Sequence, residues 1–497
     1  MDSMLDPLSK RDVLGIPALL LLILTILYLL TRLPLLGYLP FVQDEAIYTV
    51  MIGEQQDGLT LIPTLFGYPI SWKMAPFFWL YSALAPLASG IGLEACFRFP
   101  SLVFGFLCII PLFLILKHFS DEKLAFLSSV FYLVSFVSVY PNTSLLIDSP
   151  AFLLILLSLY FYVVKGNPLA GGALAAAAFT FKLVTAFISP LLAIGYFILI
   201  GKRESLRSRA FIASLSLPLL AALANYALLS PIGGGDQVYF EELLPRLLTS
   251  GVQVDFATRI SMSLNTLAYS MGPVFLVSLF GFTKNWRNNP FMSFWYALTI
   301  IPFLAATQYP WYYLPVLPAV AFFAALAVYD IKKAWRENLR GLLAATAICA
   351  ISLALVWGAY LALYNLHYPE KIAGTAIAGK ENVLIIGHFK PGIIAYKELI
   401  ERQTLGRPLD FGFILGPPAF GADDAAAFVR DYGTGAVPAM NGSFSGMYTS
   451  ASLFRKDTNI TDFDYLVLSG DLGFGFTGPE ILVRAGDITV YKKPGAP

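Results

Sequence analysis

Charge is the scarce ingredient of this sequence. Only 13% of its 497 residues are Asp, Glu, Lys or Arg, about half the roughly 25% carried by soluble domains. So few charges cannot cover the whole chain with a water-facing surface, so a wholly soluble protein is excluded. The two signs nearly cancel, leaving a formal net charge of +1. With no basic surplus to meet phosphates, nucleic acid is not an expected partner. Cysteine is as sparse. Cys96, Cys108 and Cys349 lie within or beside apolar segments and form no CxxC pair, so no disulfide framework is implied and the redox compartment stays open. The three histidines, His118, His367 and His388, stand far apart and lack zinc-type spacing. Internal repeats and low-complexity tracts are absent as well.

Long apolar runs are what the sequence has in abundance. Hydrophobic residues make up 57% of the chain and the mean hydropathy is +0.69. Runs near the 18 to 20 residues that cross a bilayer recur from Val13 to Tyr364. They predict spans at 13–31, 97–116, 124–141, 149–164, 168–182, 184–200, 210–229, 266–283, 290–307, 310–329 and 341–364. The first starts after Lys10-Arg11 without a convincing cleavage site and reads as a retained signal anchor. The fifth and sixth are parted by barely a turn around Lys182. Eleven is odd, so the termini lie on opposite sides. Fifteen basic residues, from Lys10-Arg11 through Lys332-Lys333 to Arg340, fall on one face. The other has six, Arg32, Lys73, Arg98, Lys182, Arg246 and Arg259, despite longer loops. The positive-inside rule then predicts a cytoplasmic N-terminus and an extracytoplasmic C-terminus in the cell membrane.

The fold expected is therefore an α-helical polytopic membrane protein of about 11 transmembrane helices, with a small extracytoplasmic α/β domain at its C-terminus. The membrane domain takes residues 1–366. Its first outer loop, about 36–95, is too long for a connector and too apolar to float free. Ile47, Val50 and Met51 recur at helical spacing and predict a short surface helix over Glu45–Gln56. The aromatic-rich stretch Ala75–Ala88 reads as a helix lying in the interface. A second outer loop covers about 231–265. From 367 to 497 the composition becomes that of a soluble domain, 12 basic residues against 14 acidic. Strand-length runs at Val383–Ile386, Phe411–Leu415, Tyr465–Leu468 and Ile488–Tyr491 alternate with helical candidates at Ile393–Arg402 and Asp424–Tyr432, the pattern of a small α/β domain.

Charged groups beside apolar helices are expensive, so those on the outer face are the informative ones. Asp44-Glu45 follow the first span, and two readings stand: a capping pair with Asp44 as N-cap, or a functional pair. Lys73 reads either as a side chain snorkelling to the headgroups or as a site cation. Asp148, before Ser149-Pro150, fits capping equally. Arg98 opens the second span and reads either as a headgroup anchor or as a site cation. Lys182, in Phe181-Lys182-Leu183, has no polar loop to shelter it, so it must face protein, water or an anionic ligand. Together these residues put carboxylates and three cations at one membrane surface. Such a set suits a reaction in which a carboxylate takes a hydroxyl proton while cations stabilise a departing phosphate.

The order and spacing of several short motifs resemble the GT-C superfamily of glycosyltransferases, in particular relatives of protein O-mannosyltransferases and of the lipid A aminoarabinose transferase. Asp44-Glu45-Ala46 followed by Tyr48 is similar to the D-E-A-x-Y motif of the family's first outer loop. Lys73-x-x-Pro76-x-x-x-Trp79-Leu80 resembles its K-P-P-x-x-x-W-L stretch, with Met74 and Ala75 as departures. Glu94-x-x-x-Arg98-Phe99-Pro100-Ser101 resembles E-x-x-x-R-L-P-S, Phe179-Thr180-Phe181-Lys182 an L-T-K segment, and Tyr312-x-Leu314-Pro315-x-x-Pro318 a Y-x-L-P-x-x-P helix. Asp148 falls where members carry an acidic residue. The resemblance covers most of the membrane region and is strongest over about 13–200.

It implies a membrane glycosyltransferase that moves a monosaccharide from a polyprenyl-phosphate donor to a protein, lipid or glycan acceptor, usually with inversion. Asp44 would be the general base, oriented or assisted by Glu45. Lys73, Arg98 and Lys182 would bind donor phosphate or hold the site's geometry, Asp148 would engage donor or acceptor sugar, and Tyr48 and Tyr312 would line the substrate. Gln308-Tyr309-Pro310-Trp311 stands where many relatives carry a basic residue, which separates this chain from them in substrate contacts. No cofactor is required and a divalent metal is not implied. The W-W-D-Y-G motif of oligosaccharide-transferring members is missing, and the C-terminal domain, without G-x-G-x-x-G, reads as a cap or acceptor-binding module. The rival readings are a transporter or flippase of a lipid-linked sugar, and a non-catalytic member that binds one. A transporter would need polar, broken helices at the bilayer midplane, often in two related halves, which the sequence does not offer.

Overall fold

The apolar runs become helices because nothing inside them competes: they are rich in Leu and Ala, and their backbone polar groups must be satisfied internally away from water. A computed structural model describes residues 17–65, 68–69, 75–182, 185–229, 256–306, 310–334, 338–380, 383–387, 391–405, 464–469 and 480–492. Its helices, in chain order, are α1 (Ala18–Leu36), α2 (Gln43–Asp57), α3 (Ala75–Leu84), α4 (Leu93–Phe119), α5 (Glu122–Val134) and α6 (Phe136–Asn142). There follow α7 (Asp148–Val163), α8 (Pro168–Phe179), α9 (Ile188–Leu199), α10 (Arg203–Leu206), α11 (Arg209–Leu229) and α12 (Phe256–Met271). The last are α13 (Pro273–Asn285), α14 (Pro290–Ala306), α15 (Leu317–Ala334), α16 (Asn338–Ile377) and α17 (Pro391–Leu405).

Each of the eleven predicted spans contains helix. Among the described residues four helices, α1, α4, α11 and α16, are long and apolar enough to cross a membrane, or up to six spans if each of two bent pairs counts as one. The bends are the main departure from expectation. The segment predicted at 266–283 is not one rod: α12 and α13 meet at 106°, where Gly272 takes φ +58°, a conformation glycine tolerates best. The segment at 124–141 bends by 64° between α5 and α6. Carbonyls released there need donors. Fully buried Arg32 supplies one, Nη1 donating to Leu133 O at 2.7 Å while Nη2 donates to Ser138 Oγ at 2.8 Å. The predicted span at 310–329 begins instead with a 3-10 turn, Pro310–Tyr313, before α15.

The chain forms two compact units, neither contiguous in sequence: residues 1–37 with 71–359, and residues 38–70 with 360–497. In the first, helices approach through small residues, as membrane helices do. A side chain on Gly172 of α8 would overlap the backbone of Ser214 in α11, and one on Gly281 of α13 the carbonyl of Phe323 in α15.

The second unit joins α2 to the C-terminal segment. The helix predicted over Glu45–Gln56 exists as α2, but Ile47, Val50 and Met51 are buried rather than at a surface, because α2 lies against α17. A short hairpin pairs β1 (Thr64–Leu65) with β2 (Tyr68–Pro69). Three of the predicted C-terminal strands are present as β3 (Val383–Gly387), β4 (Tyr465–Ser469) and β6 (Ile488–Lys492), with an additional β5 (Glu480–Ala485). Their order is β3-β4-β6-β5, with β3 and β4 parallel and the other pairs antiparallel. Ile393 and Ile394 of α17 and Ala373 and Ile377 of α16 share a core with Tyr465, Val467, Ile488 and Val490. The strand expected at Phe411–Leu415 and the helix at Asp424–Tyr432 lie outside the described residues.

Candidate functional site

Two groups of the predicted residues are drawn together, one in each unit. In the first unit, α7 opens with Asp148 and the turn after α8 presents Lys182. Lys182 Nζ donates to Asp148 Oδ1, with side-chain exposures of 12% and 6%. A pair so enclosed must be matched, since an isolated charge there would cost several kcal/mol. The ammonium also lies 3.9 Å from the centroid of the Tyr312 ring, a close cation–π distance. Asp148 makes no capping hydrogen bond at the start of α7, so the ion pair displaces the capping reading. A small cavity, roomy enough for about one water, is lined by Asp148, Lys182, Thr185, Phe152, Leu314 and Pro315 among others. The hydroxyl of Thr185 is buried without a hydrogen-bond partner. Sequence reasoning passed over Thr185, whose signal is its place three residues after Lys182.

Arg98 belongs to the same unit but does another job there. It is fully buried, and Nη1 donates to Leu36 O, the last residue of α1, at 3.1 Å. The guanidinium thus satisfies a carbonyl at a helix C-terminus, where a cation is also favoured by the helix dipole. Beside it, Ser101 Oγ and Tyr81 Oη of α3 are 2.7 Å apart.

In the second unit, α2 begins at Gln43 with Val42 as its N-cap. Valine has no side-chain acceptor, so the helix end is closed differently: Glu45 Oε2 accepts from Val42 N at 3.1 Å while Glu45 N donates to Val42 O at 2.7 Å. Glu45 is fully buried in this role. Asp44 is therefore not the cap. It occupies the second helical position, half-buried, where a carboxylate is favoured by the helix N-terminus. Tyr48 is one turn further on and buried. Lys73 lies outside the described residues, as do His388, Gln308 and Tyr309. Among the described residues no three His, Cys, Asp or Glu side chains converge as a metal-binding group.

No protein-family model matches the chain, and no curated protein matches it in sequence. Solved structures do match it in shape. The crystal structure of ArnT, the lipid A aminoarabinose transferase, from Cupriavidus metallidurans bound to undecaprenyl phosphate is similar at a TM-score of 0.64 and 14% identity, covering 95% of this chain and 97% of that one. The apo form of the same protein gives 0.60 over the same shares. The apo oligosaccharyltransferase of Archaeoglobus fulgidus gives 0.53 at 14% identity, over 90% of this chain and 69% of the other. Both are GT-C glycosyltransferases. At such identity the likeness establishes the fold alone: this chain shares the architecture of those two proteins, and with its apolar helices it is a multi-pass membrane protein.

Proposed function

We propose that this protein is an integral membrane glycosyltransferase. It transfers a monosaccharide from a polyprenyl-phosphate-linked donor to a protein, lipid or glycan acceptor at the extracytoplasmic face. The observation that carries the reading is the division of labour at the start of α2. Glu45 closes the helix end, while Asp44, half-buried at the second helical position, supplies the carboxylate that serves as the base. The GT-C fold supports the same reading, since ArnT, the neighbour at the higher TM-score, was crystallised with undecaprenyl phosphate.

In this reaction the acceptor hydroxyl oxygen attacks the anomeric carbon as the bond to the phosphate oxygen breaks. Asp44 takes the hydroxyl proton, and the polyprenyl phosphate leaves as the anion. One base and no covalent intermediate suffice for transfer with inversion. Lys182 and Lys73 stabilise the departing phosphate, while Asp148 holds Lys182 and engages sugar. Arg98 maintains the end of α1. Tyr48 and Tyr312 line the substrate, and no metal is called for. Residues 1–366 form the transferase domain, with an inside N-terminus, and 367–497 the outer domain.

The test is sugar release from a panel of polyprenyl-phosphate monosaccharides by the purified protein and by Asp44→Asn. Release that vanishes in the variant, with the protein intact, establishes the class, the donor and the base. Full release by Asp44→Asn removes Asp44 from the mechanism.

A further inference from the structure

The segment leading into α2 is held by two side chains, and they come from distant parts of the sequence. Glu45, three residues on, accepts from Val42 N. One residue earlier, Phe41 N donates at 3.0 Å to the hydroxyl of Tyr396 in α17, 355 positions away. The Phe41 and Tyr396 rings lie 5.3 Å apart at 34°, and both side chains are buried to 1% exposure or less. A buried amide just ahead of a helix needs an acceptor, and here the C-terminal segment provides it.

Tyr396 is itself tightly placed. Glu370, near the outer end of α16, bridges two partners: Oε1 meets His367 Nδ1 at 3.0 Å, and Oε2 accepts from Gly392 N at 3.1 Å in the first turn of α17. That carboxylate satisfies one of the orphan donors at the helix start. Glycine at 392 leaves the Glu370 carboxylate its place, since a Cβ there would meet it. One turn along, Gly374 of α16 leaves room for the Ile393 carbonyl and the Tyr396 Cβ, and Lys371 Nζ stands 5.5 Å from the Tyr396 ring centroid. A continuous chain of contacts thus runs from His367 through Glu370, Gly392 and Tyr396 to Phe41, three residues before Asp44.

We infer that Tyr396 is a positioning residue for Asp44, and that the C-terminal segment thereby sets the orientation of the carboxylate on α2. The inference rests on the reading of Asp44 as the base. Tyr396 touches no reacting atom; it acts by fixing the backbone from which Asp44 projects. A hydroxyl that only filled space would be replaceable by hydrogen, whereas one that anchors an amide is not.

The experiment uses the full-length protein with Tyr396→Phe, which keeps the ring and removes the acceptor. Two readouts are compared with wild type: amide exchange of residues 41–48, and donor kinetics resolved into kcat and KM. Expected are faster exchange in that segment, kcat lower by about three- to tenfold, the effect of one hydrogen bond, and an unchanged donor KM. Unchanged exchange overturns the anchor. Faster exchange with wild-type kcat overturns the positioning role. Should Tyr396→Phe fail to fold, Glu370→Met, which removes the acceptor for Gly392 N at similar volume, carries the same comparison. An Asp44→Asn protein that transfers sugar normally would instead sink the reading of Asp44 as the base, and with it the positioning role, while the exchange measurement would still decide whether Tyr396 holds the segment.

Discussion

Asp148 and Asp44 both stand at helix starts, yet the two units hold them by different physics. In the first unit Asp148 is matched by charge: Lys182 meets it directly and Tyr312 closes over the ammonium. In the second unit the holding is done through the backbone, by Glu45 and Tyr396 on successive amides, and Asp44 stays half-buried. An enclosed apolar setting demands that charge be neutralised on the spot. At the start of α2 the two amides ahead of the helix are bound instead, which fixes the backbone that carries Asp44. The first arrangement fixes a side chain by its counter-charge, the second by anchoring the backbone beneath it.

That contrast breaks if the two aspartates respond alike to amide substitution. Asp44→Asn should lower transfer by at least about 100-fold, the usual share of a general base, with the melting temperature unchanged. Asp148→Asn should do the opposite first, lowering stability by about 3–5 kcal/mol because Lys182 is left buried without its counter-charge. Replacing both partners, as Asp148→Leu with Lys182→Met, should recover most of that loss. A double variant no more stable than the single one would show that the pair is not what holds α7 to the turn after α8. Thermal unfolding in detergent reads all three.

Glycine contacts sharpen the comparison at smaller cost. Gly172→Ala in the first unit drives a methyl into the Ser214 backbone, which cannot yield without separating α8 from α11. A loss of about 1–3 kcal/mol is expected from such overpacking. Gly392→Ala in the second unit meets the tip of the Glu370 side chain, which can swing aside. Its stability should fall less than that of Gly172→Ala, while amide exchange at the start of α17 rises. Equal melting shifts in the two variants would mean that the Glu370 contact is as rigid as backbone.

Much of this organisation was legible in the sequence where one residue's environment was set locally. Lys182 lies between two apolar runs, so a partner was required, and Asp148 is that partner. The strands at Val383, Tyr465 and Ile488 announced themselves by short apolar runs between polar ones. β5 did not, because Ile481 and Leu482 are exposed at 52% and 39% and its pairing with β6 shifts register between Ile481 and Val483. Nor did the break at Ser135, since a single small residue inside an apolar run is compatible with an unbroken helix, whereas the break at Gly272 was signalled by the Gly272-Pro273 pair and passed over. The role of Glu45 was hidden for a related reason: a valine N-cap gives no signal, and the closing bond comes from three residues downstream. Tyr396 was out of reach altogether, because no pattern in either segment records a contact across 355 positions.

The smallest effect tests what Tyr312 contributes beneath Lys182. The ring face, not the hydroxyl, is what lies 3.9 Å from the ammonium, so the attraction comes from the aromatic quadrupole. Tyr312→Phe preserves that face and should leave stability close to wild type. Tyr312→Leu keeps an apolar neighbour but removes the quadrupole, and should cost about 0.5–2 kcal/mol, well below the loss in Asp148→Asn. The ordering matters more than the sizes. If leucine is tolerated as well as phenylalanine, Asp148 alone neutralises Lys182 and the ring only fills space. If phenylalanine is as damaging as leucine, the hydroxyl rather than the face is in use, and Tyr312 belongs with the polar lining of the cavity.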